Sequence, residues 1–257
     1  TIRKEGEEPL HTLHRFLTRY VKDAVSGVHI LPFFPSSSDG GYAVIDHKEV
    51  DPRLGTWEDV RAIAGEYRLM VDLVMNHVSS RSKWFSRFVQ GDRRYRDYFI
   101  WSDNRIDWPE VFRPRDLPLL TKFNTAMGEK YLWTTFSPDQ VDLNFKNPEV
   151  LLRIIDIFLF YLSKGIEIIR LDAIGYVWKE PHTRCVNLSK THQIVRRNLS
   201  QQLGRRHLPP LPAFPSSGKA HLPLGANALG DDLDLSCCCD GMQPASRRPP
   251  SADATSR

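Results

Sequence analysis

The sequence predicts an α/β protein built on a parallel sheet, and three observations carry that prediction. Helix-period segments and short apolar segments of strand length alternate three times between residues 10 and 171, the order that produces parallel strands joined by helices. The strand-like segments are runs of mostly apolar residues, as in a buried sheet. The run Gly165-Ile166-Glu167-Ile168-Ile169-Arg170-Leu171-Asp172 delivers an Arg and an Asp together at its C-terminal end, where α/β barrels keep their chemistry.

Each element follows from local pattern. Leu10, Leu13, Phe16, Leu17, Tyr20 and Val21 recur at helical spacing, so an amphipathic helix opens the chain. Residues 28–34 read as a buried strand. Trp57, Val60, Ile63, Ala64 and Tyr67 mark a second helix, and residues 69–75 a second strand. Asn147 is a fitting N-cap, with Pro148 at the first helical position, for a third helix through Leu151, Ile154, Ile155 and Phe158. Gly165 ends that helix just before the third strand.

One connection is out of proportion. About 70 residues separate Met75 from Pro148, against the usual two to six for such a loop, so an inserted subdomain is expected there. It carries Trp84, Phe85, Tyr95, Tyr98, Phe99, Trp101 and Trp108, with the basic cluster Arg93-Arg94-Tyr95-Arg96. At the C-terminal face of a sheet such aromatics can stack on sugar rings; for most of them the favoured reading is a small core of the insertion's own.

Composition divides the chain. Residues 1–180 hold all six Trp, all eight Tyr and twelve of the thirteen Phe. The remainder has only Phe214 among aromatics, with nine of the eighteen Pro and all four Cys, so it is not expected to pack a core. Cys185 and Cys237-Cys238-Cys239 have neither metal-ligand spacing nor a disulfide framework and read as incidental thiols. The net charge of +4 is mild, and no basic stripe with interleaved aromatics suggests nucleic acid. No apolar run reaches the roughly 18 residues of a membrane span, and no signal peptide stands at the start; a cytoplasmic protein without nucleic-acid or membrane partners is expected.

Polar groups cluster at the three strand ends. Arg170 and Asp172 are two apart, so on a strand they share a face, where the guanidinium would hold the carboxylate ionised. Taken alone the pair reads equally as a buried ion pair or as an oriented nucleophile. The first strand leads to Ser36-Ser37-Ser38-Asp39-Gly40-Gly41-Tyr42. The second holds Asp72 and ends in Asn76-His77. Three strand ends converging on one face favour a site over three separate structural roles.

These residues resemble a known family. Asp72-Leu73-Val74-Met75-Asn76-His77 and Arg170-Leu171-Asp172-Ala173 are similar to the first and second conserved regions of the α-amylase superfamily, glycoside hydrolase family 13. Gln140-Val141-Asp142-Leu143-Asn144 resembles the short motif near the end of that family's inserted B domain. Connecting text such as Leu31-Pro32-Phe33-Phe34-Pro35 and Trp133-Thr134-Thr135-Phe136-Ser137 is similar to the sucrose phosphorylase and glucosylglycerate phosphorylase branch. The resemblance covers about residues 2–197.

The resemblance implies a (β/α)8 barrel, of which this chain would hold about strands two to four, with the B domain after the third. Barrel parts are expected at 1–78 and 147–197, the B domain at 79–146 and a largely disordered tail at 198–257. It further implies a retaining enzyme that moves glucose from sucrose or a similar α-glucoside to inorganic phosphate through a covalent glucosyl-aspartate. Asp172 would be the nucleophile and Arg170 its orienting partner. His77, Asp39 and Gln140 would bind the sugar, and Tyr42 would supply a stacking platform. Asp72 and Asn76 would be structural supports. No cofactor or metal is implied.

Retaining chemistry needs two carboxyl groups about 5 Å apart. The family's acid is a Glu on the next strand and a His-Asp pair lies on a later one, yet no Glu follows Glu180 and no His-Asp dipeptide follows Asp172. Asp231, Asp232 and Asp234, with no strand pattern before them, are not expected to replace either. The first barrel strand is expected to be missing, and the loss of likeness after residue 197 suggests a shifted reading frame or a truncated gene. As it stands the chain is therefore expected to be inactive and aggregation-prone. An inactive remnant, a sugar-binding fragment and an α-glucosidase or amylase-type hydrolase are the alternatives.

Overall fold

The computed structural model describes residues 4–22 and 24–199. Three parallel strands, β1 (Gly27–Ile30), β2 (Arg68–Val74) and β8 (Ile168–Asp172), lie side by side in the order β1-β2-β8. The register aligns Ile30 with Val71, Asp72 with Arg170 and Val74 with Asp172. All three strands thus present their C-terminal ends on one side.

Helices supply the parallel connections. Helix α1 (Pro9–Phe16) continues as a π-helical turn through Val21, and α2 (Trp57–Glu66) follows β1. Thr56 and Asp59 form a capping box at the start of α2, which satisfies end N–H groups that the helix itself leaves open. Helix α4 (Pro148–Ser163) starts at Asn147, whose side chain accepts from the Glu149 N–H. Gly165, at φ +87°, follows its end and donates to Leu162 O at 3.1 Å, a left-handed turn that glycine adopts without a Cβ clash.

The strand expected at 28–34 is shorter than its apolar run. Ladder pairing stops at Ile30, and Pro32 lacks the N–H that a ladder needs. Phe33 and Phe34 are still buried: Phe34 stacks on Tyr161 at 5.4 Å and Phe33 meets the edge of Trp57 at 5.5 Å. Hydrophobicity recorded burial under α4, not membership of the sheet.

The long connection folds on two small sheets. Strand β3 (His77–Ser79) pairs antiparallel with β7 (Gln140–Asp142). Strands β4 (Trp101–Ser102), β5 (Leu120–Thr125) and β6 (Gly128–Trp133) form an antiparallel sheet in the order β4-β6-β5, beside α3 (Lys83–Val89). Phe85 packs against Phe88, Phe99 and Phe123, and Tyr98 against Trp84 and Tyr95. Those rings are not a separate core of the insertion: they belong to one cluster continuous with Val71, Leu73 and Ile154 of the parallel-sheet region, while Trp108 lies against Trp133 in a second cluster with Cys185.

Cys237, Cys238, Cys239, Asp231, Asp232 and Asp234 lie outside the described residues. Among the described residues no helix is long and apolar enough to cross a membrane, and no group of three or more His, Cys, Asp or Glu is placed to hold a metal ion.

Candidate active site

Side-by-side strands assemble the centre of the site. Arg170 faces Asp72 across the β2–β8 register and stands two residues before Asp172 on its own strand. Its Nη1 donates to Asp72 Oδ1 at 2.5 Å and to Asp172 Oδ1 at 2.8 Å. The Asp72 carboxylate is fully buried and meets His29 Nε2, from β1, at 2.8 Å through its other oxygen. One hydrogen-bonded row therefore runs across all three strands, from His29 through Asp72 and Arg170 to Asp172.

Burial and charge compete along that row. Burial opposes the charge on Arg170, but its bonds to Asp72 and Asp172 outweigh that and carry its pKa above the ordinary range. Asp172 moves the other way from the sequence expectation. Burial raises its carboxyl above the usual value, and the favourable field and hydrogen bond of Arg170 limit that rise without reversing it. The guanidinium still favours the ion, but desolvation is the larger effect. Ala173, directly after Asp172, holds φ +54°, a conformation costly for a residue with a Cβ and common at functional sites.

The turn after β1 brings Asp39 and Tyr42. Gly41 sits at φ +113°, and a Cβ there would meet Pro32 O at 2.8 Å, so only glycine fits between this turn and the strand exit. The Tyr42 ring is partly buried. Burial, then the charges of Asp72 and Asp172, push its phenol pKa up, so it stays protonated.

Strands β3 and β7 bring His77 and Gln140. His77 is buried, and desolvation lowers its pKa despite the nearby Asp142 and Asp172 carboxylates, which leaves the ring neutral. Gln140 Nε2 donates to Asp39 Oδ2 at 2.9 Å and lies 3.0 Å from His77 Nε2, while Ser137 donates to its Oε1 at 2.8 Å. Asp39 also receives Arg115 Nη2 at 2.9 and 3.1 Å. Asp139, beside Gln140, accepts from Ser37, Ser38 and Ser80. These hydroxyls outweigh the burial that would raise its pKa and hold it below the usual carboxylate range.

The structure thus gathers Asp39, His77 and Gln140 into one hydrogen-bonded group. Asp72, Arg170 and Asp172 form another, and Tyr42 stands between them: its backbone carbonyl faces His77 Nε2 at 3.2 Å while its ring lies in the field of Asp72 and Asp172. Asn76 meets Lys179 at 2.7 Å and Asp142 at 2.9 Å, and its NH2 also lies 3.4 Å from His77 Nδ1. A cavity of about 340 Å³ between Phe99, Trp101, Lys146 and Trp178 includes none of the residues of either group.

Four residues at or beside the site were given no role by the sequence. His29 is a single polar side chain inside an apolar strand, and that contrast was its only sequence signal. Phe136, whose ring lies 5.2 Å from His77 and 5.2 Å from Tyr176, offers an aromatic face next to the sugar-binding candidates. Arg115 lies on a loop with no periodic pattern. Lys179 is buried, a rare setting for a lysine, and burial lowers its pKa against the opposing pull of Asp142.

Comparison with known proteins identifies the family. Residues 18–204 match the family described as alpha amylase, catalytic domain. The chain is 56% identical over 193 residues to the glucosylglycerate phosphorylase of Spirochaeta thermophila, covering 75% of this chain and 33% of that protein. It is 46% identical over 190 residues to the glucosylglycerate phosphorylase of Escherichia coli, covering 74% of this chain and 34% of that protein. Among solved structures, the sucrose 6F-phosphate phosphorylase from Thermoanaerobacter thermosaccharolyticum superposes with a TM-score of 0.69 at 34% identity, covering 73% of this chain and 41% of that one. The chain spans about a third of the length of these curated relatives.

Proposed function

The chain belongs to the alpha-amylase catalytic-domain family, and on that premise we propose that it carries the nucleophile and donor-sugar contacts of a retaining α-glucosyl-transferring site. The reading extends to a phosphorylase that passes glucose from an α-glucoside such as sucrose or glucosylglycerate to inorganic phosphate, as the names of its relatives suggest. The parallel strands β1, β2 and β8 would be consecutive strands of a (β/α)8 barrel. Residues 79–146 would be the B domain, between barrel parts at 1–78 and 147–197.

The carrying observation is Arg170 Nη1 donating to Asp172 at 2.8 Å while Asp72 anchors the same nitrogen from behind. A carboxylate whose one oxygen is engaged presents the other for attack. Asp172 would displace the aglycone from the anomeric carbon, forming a β-glucosyl ester as the C1–O bond to the aglycone breaks and the departing oxygen takes a proton from water or another acid. Phosphate would then attack the same carbon, break the ester and leave as α-glucose 1-phosphate with Asp172 restored. His77, Gln140 and Asp39 would hold the sugar hydroxyls, with Tyr42 and Phe136 as aromatic faces. Retaining chemistry also uses a second carboxyl as acid and base; this proposal assigns none.

α-Glucosyl fluoride tests the nucleophile alone, because fluoride departs without a proton from an acid. The carbon–fluorine bond breaks as the Asp172 ester forms. Intact-mass and peptide spectra after an acid quench are expected to place one hexosyl group on Asp172 and none on Asp172→Asn. Phosphate added before the quench is expected to remove the label as glucose 1-phosphate. An unlabelled wild-type chain, or a label surviving in Asp172→Asn, would overturn the reading.

A further inference from the structure

Behind His77 lies a group of buried polar side chains that no sugar contact explains. Lys179, Asp142 and Asn76 are all buried, and Asp142 stands opposite His77 in the β3–β7 register. Lys179 Nζ lies 2.7 Å from Asn76 Oδ1 and 2.7 Å from Asp142 Oδ2. Asn76 Nδ2 donates to Asp142 Oδ2 at 2.9 Å and faces His77 Nδ1 at 3.4 Å. Thr135 adds its N–H to Asp142 Oδ1 at 2.9 Å and its hydroxyl to Oδ2 at 2.5 Å.

These partners leave the amide one orientation. An ammonium only donates and an ionised carboxylate only accepts, so Asn76 must turn its oxygen to Lys179 and its NH2 to Asp142. The same NH2 is then what His77 Nδ1 meets. A nitrogen facing a donor must offer a lone pair, so the proton of the neutral ring goes to Nε2, which faces the Tyr42 carbonyl at 3.2 Å. Gln140 pulls the other way, since its NH2 is 3.0 Å from His77 Nε2. That NH2 has two hydrogens and gives one to the Asp39 carboxylate at 2.9 Å, just as the Asn76 NH2 gives one to Asp142, so the two amides oppose each other and the Tyr42 carbonyl, which the ring can meet only as Nε2–H, decides between them.

We propose that the buried Lys179–Asp142 pair, acting through the Asn76 amide, holds His77 in the neutral tautomer that carries its proton on Nε2. Lys179, Asp142 and Asn76 are positioning residues here. A buried ion pair is weak evidence for stability, because desolvation can cancel its attraction, but a donor-only and an acceptor-only group at the two ends of an amide set its direction. The consequence for catalysis rests on the function proposed above: a glucosyl oxygen would find an N–H donor already aimed from His77. The tautomer itself is a property of the free chain.

The test is nitrogen-15 NMR of the full chain labelled at histidine, with no sugar present and near neutral pH. His77 is expected to show a protonated Nε2 and an unprotonated Nδ1. Asn76→Asp replaces the NH2 by an acceptor of the same shape and is expected to shift the proton to Nδ1. Lys179→Met frees the amide and is expected to lose the single tautomer, and Lys179→Arg, which keeps a donor-only cation, to regain it. A wild-type ring protonated on Nδ1 would overturn the proposal, as would a protonated Nε2 with bare Nδ1 in folded Asn76→Asp or Lys179→Met chains. If the substitutions prevent folding, the wild-type spectrum still decides the tautomer. None of these readouts needs turnover: failed labelling of Asp172 beside an Nε2-protonated His77 would sink the proposed function and leave this proposal standing, and the reverse pattern would do the opposite.

Discussion

Arg170 and Asp172, two residues apart on β8, are joined by a 2.8 Å hydrogen bond through the guanidinium nitrogen that also holds the buried Asp72 of the neighbouring strand. The nucleophile candidate is therefore tied to the core of the sheet through one atom. Asp72 has no solvent to replace Arg170 if that atom is removed.

Arg170→Met leaves the Asp72 carboxylate without its cation. Breaking one side of a buried pair costs about 3–5 kcal/mol, and the Arg170 side chain is 34% exposed, so solvent screening places the loss toward the low end, at about 3 kcal/mol. Urea unfolding of the two chains measures it. A loss below about 1 kcal/mol would mean that Asp72 is not held as a charge by this contact.

His29→Phe removes the second partner of Asp72, at 2.8 Å. One buried carboxylate oxygen would be left unsatisfied, at a cost of about 1–3 kcal/mol. Arg170 would then be drawn further toward Asp72, so labelling of Asp172 by α-glucosyl fluoride is expected to slow. Loss of stability with unchanged labelling would confine His29 to a structural role.

Acid is expected to destabilise the fold through His47. This residue is fully buried, donates to Val74 O at 3.1 Å, and is lowered by burial from 6.5 to about 4. In the unfolded chain the imidazole binds its proton first, so stability is fully present above 6.5 and falls as pH drops toward about 4. The full effect is on the order of 3 kcal/mol. Urea midpoints across that window should flatten in His47→Gln; an unchanged slope would assign the acid sensitivity to other groups. His77 is shifted in the same direction and adds to the slope.

Gly41→Ala puts a Cβ 2.8 Å from Pro32 O at φ +113°. The obstacle is backbone, so the turn carrying Asp39 and Tyr42 must move, with strain of about 1–3 kcal/mol. Weakened binding of glucose by calorimetric titration is expected, with the β1-β2-β8 sheet intact by circular dichroism. Unchanged affinity would show that this turn does not set the sugar contacts.

The order of elements was legible in the sequence because helical and strand periods are local. The Asn147 N-cap, Pro148 and Gly165 mark the ends of α4 through forces acting within a few residues. The exit of the chain from β1 after Ile30 was not legible, since residues 28–34 are mostly apolar whether they pair in a sheet or pack under α4. Position at the strand ends likewise named Asp39, Tyr42, Asp72, Asn76, His77, Arg170 and Asp172 as site candidates, and the family resemblance added Gln140, but neither could tell how their charges balance.

By itself, then, the sequence determined the alternation of helices and strands, the long insertion and the family. The tertiary structure decided what no single segment contains: that His29 reaches Asp72, that Arg115 and Gln140 meet Asp39, that Phe136 lies beside His77 and that Lys179 closes on Asn76 and Asp142. It also decided the upward shift of Asp172, against the expectation drawn from Arg170 alone. Periodicity and capping are short-range properties of a chain, whereas desolvation and hydrogen-bond partnership depend on strands and loops up to about a hundred residues apart.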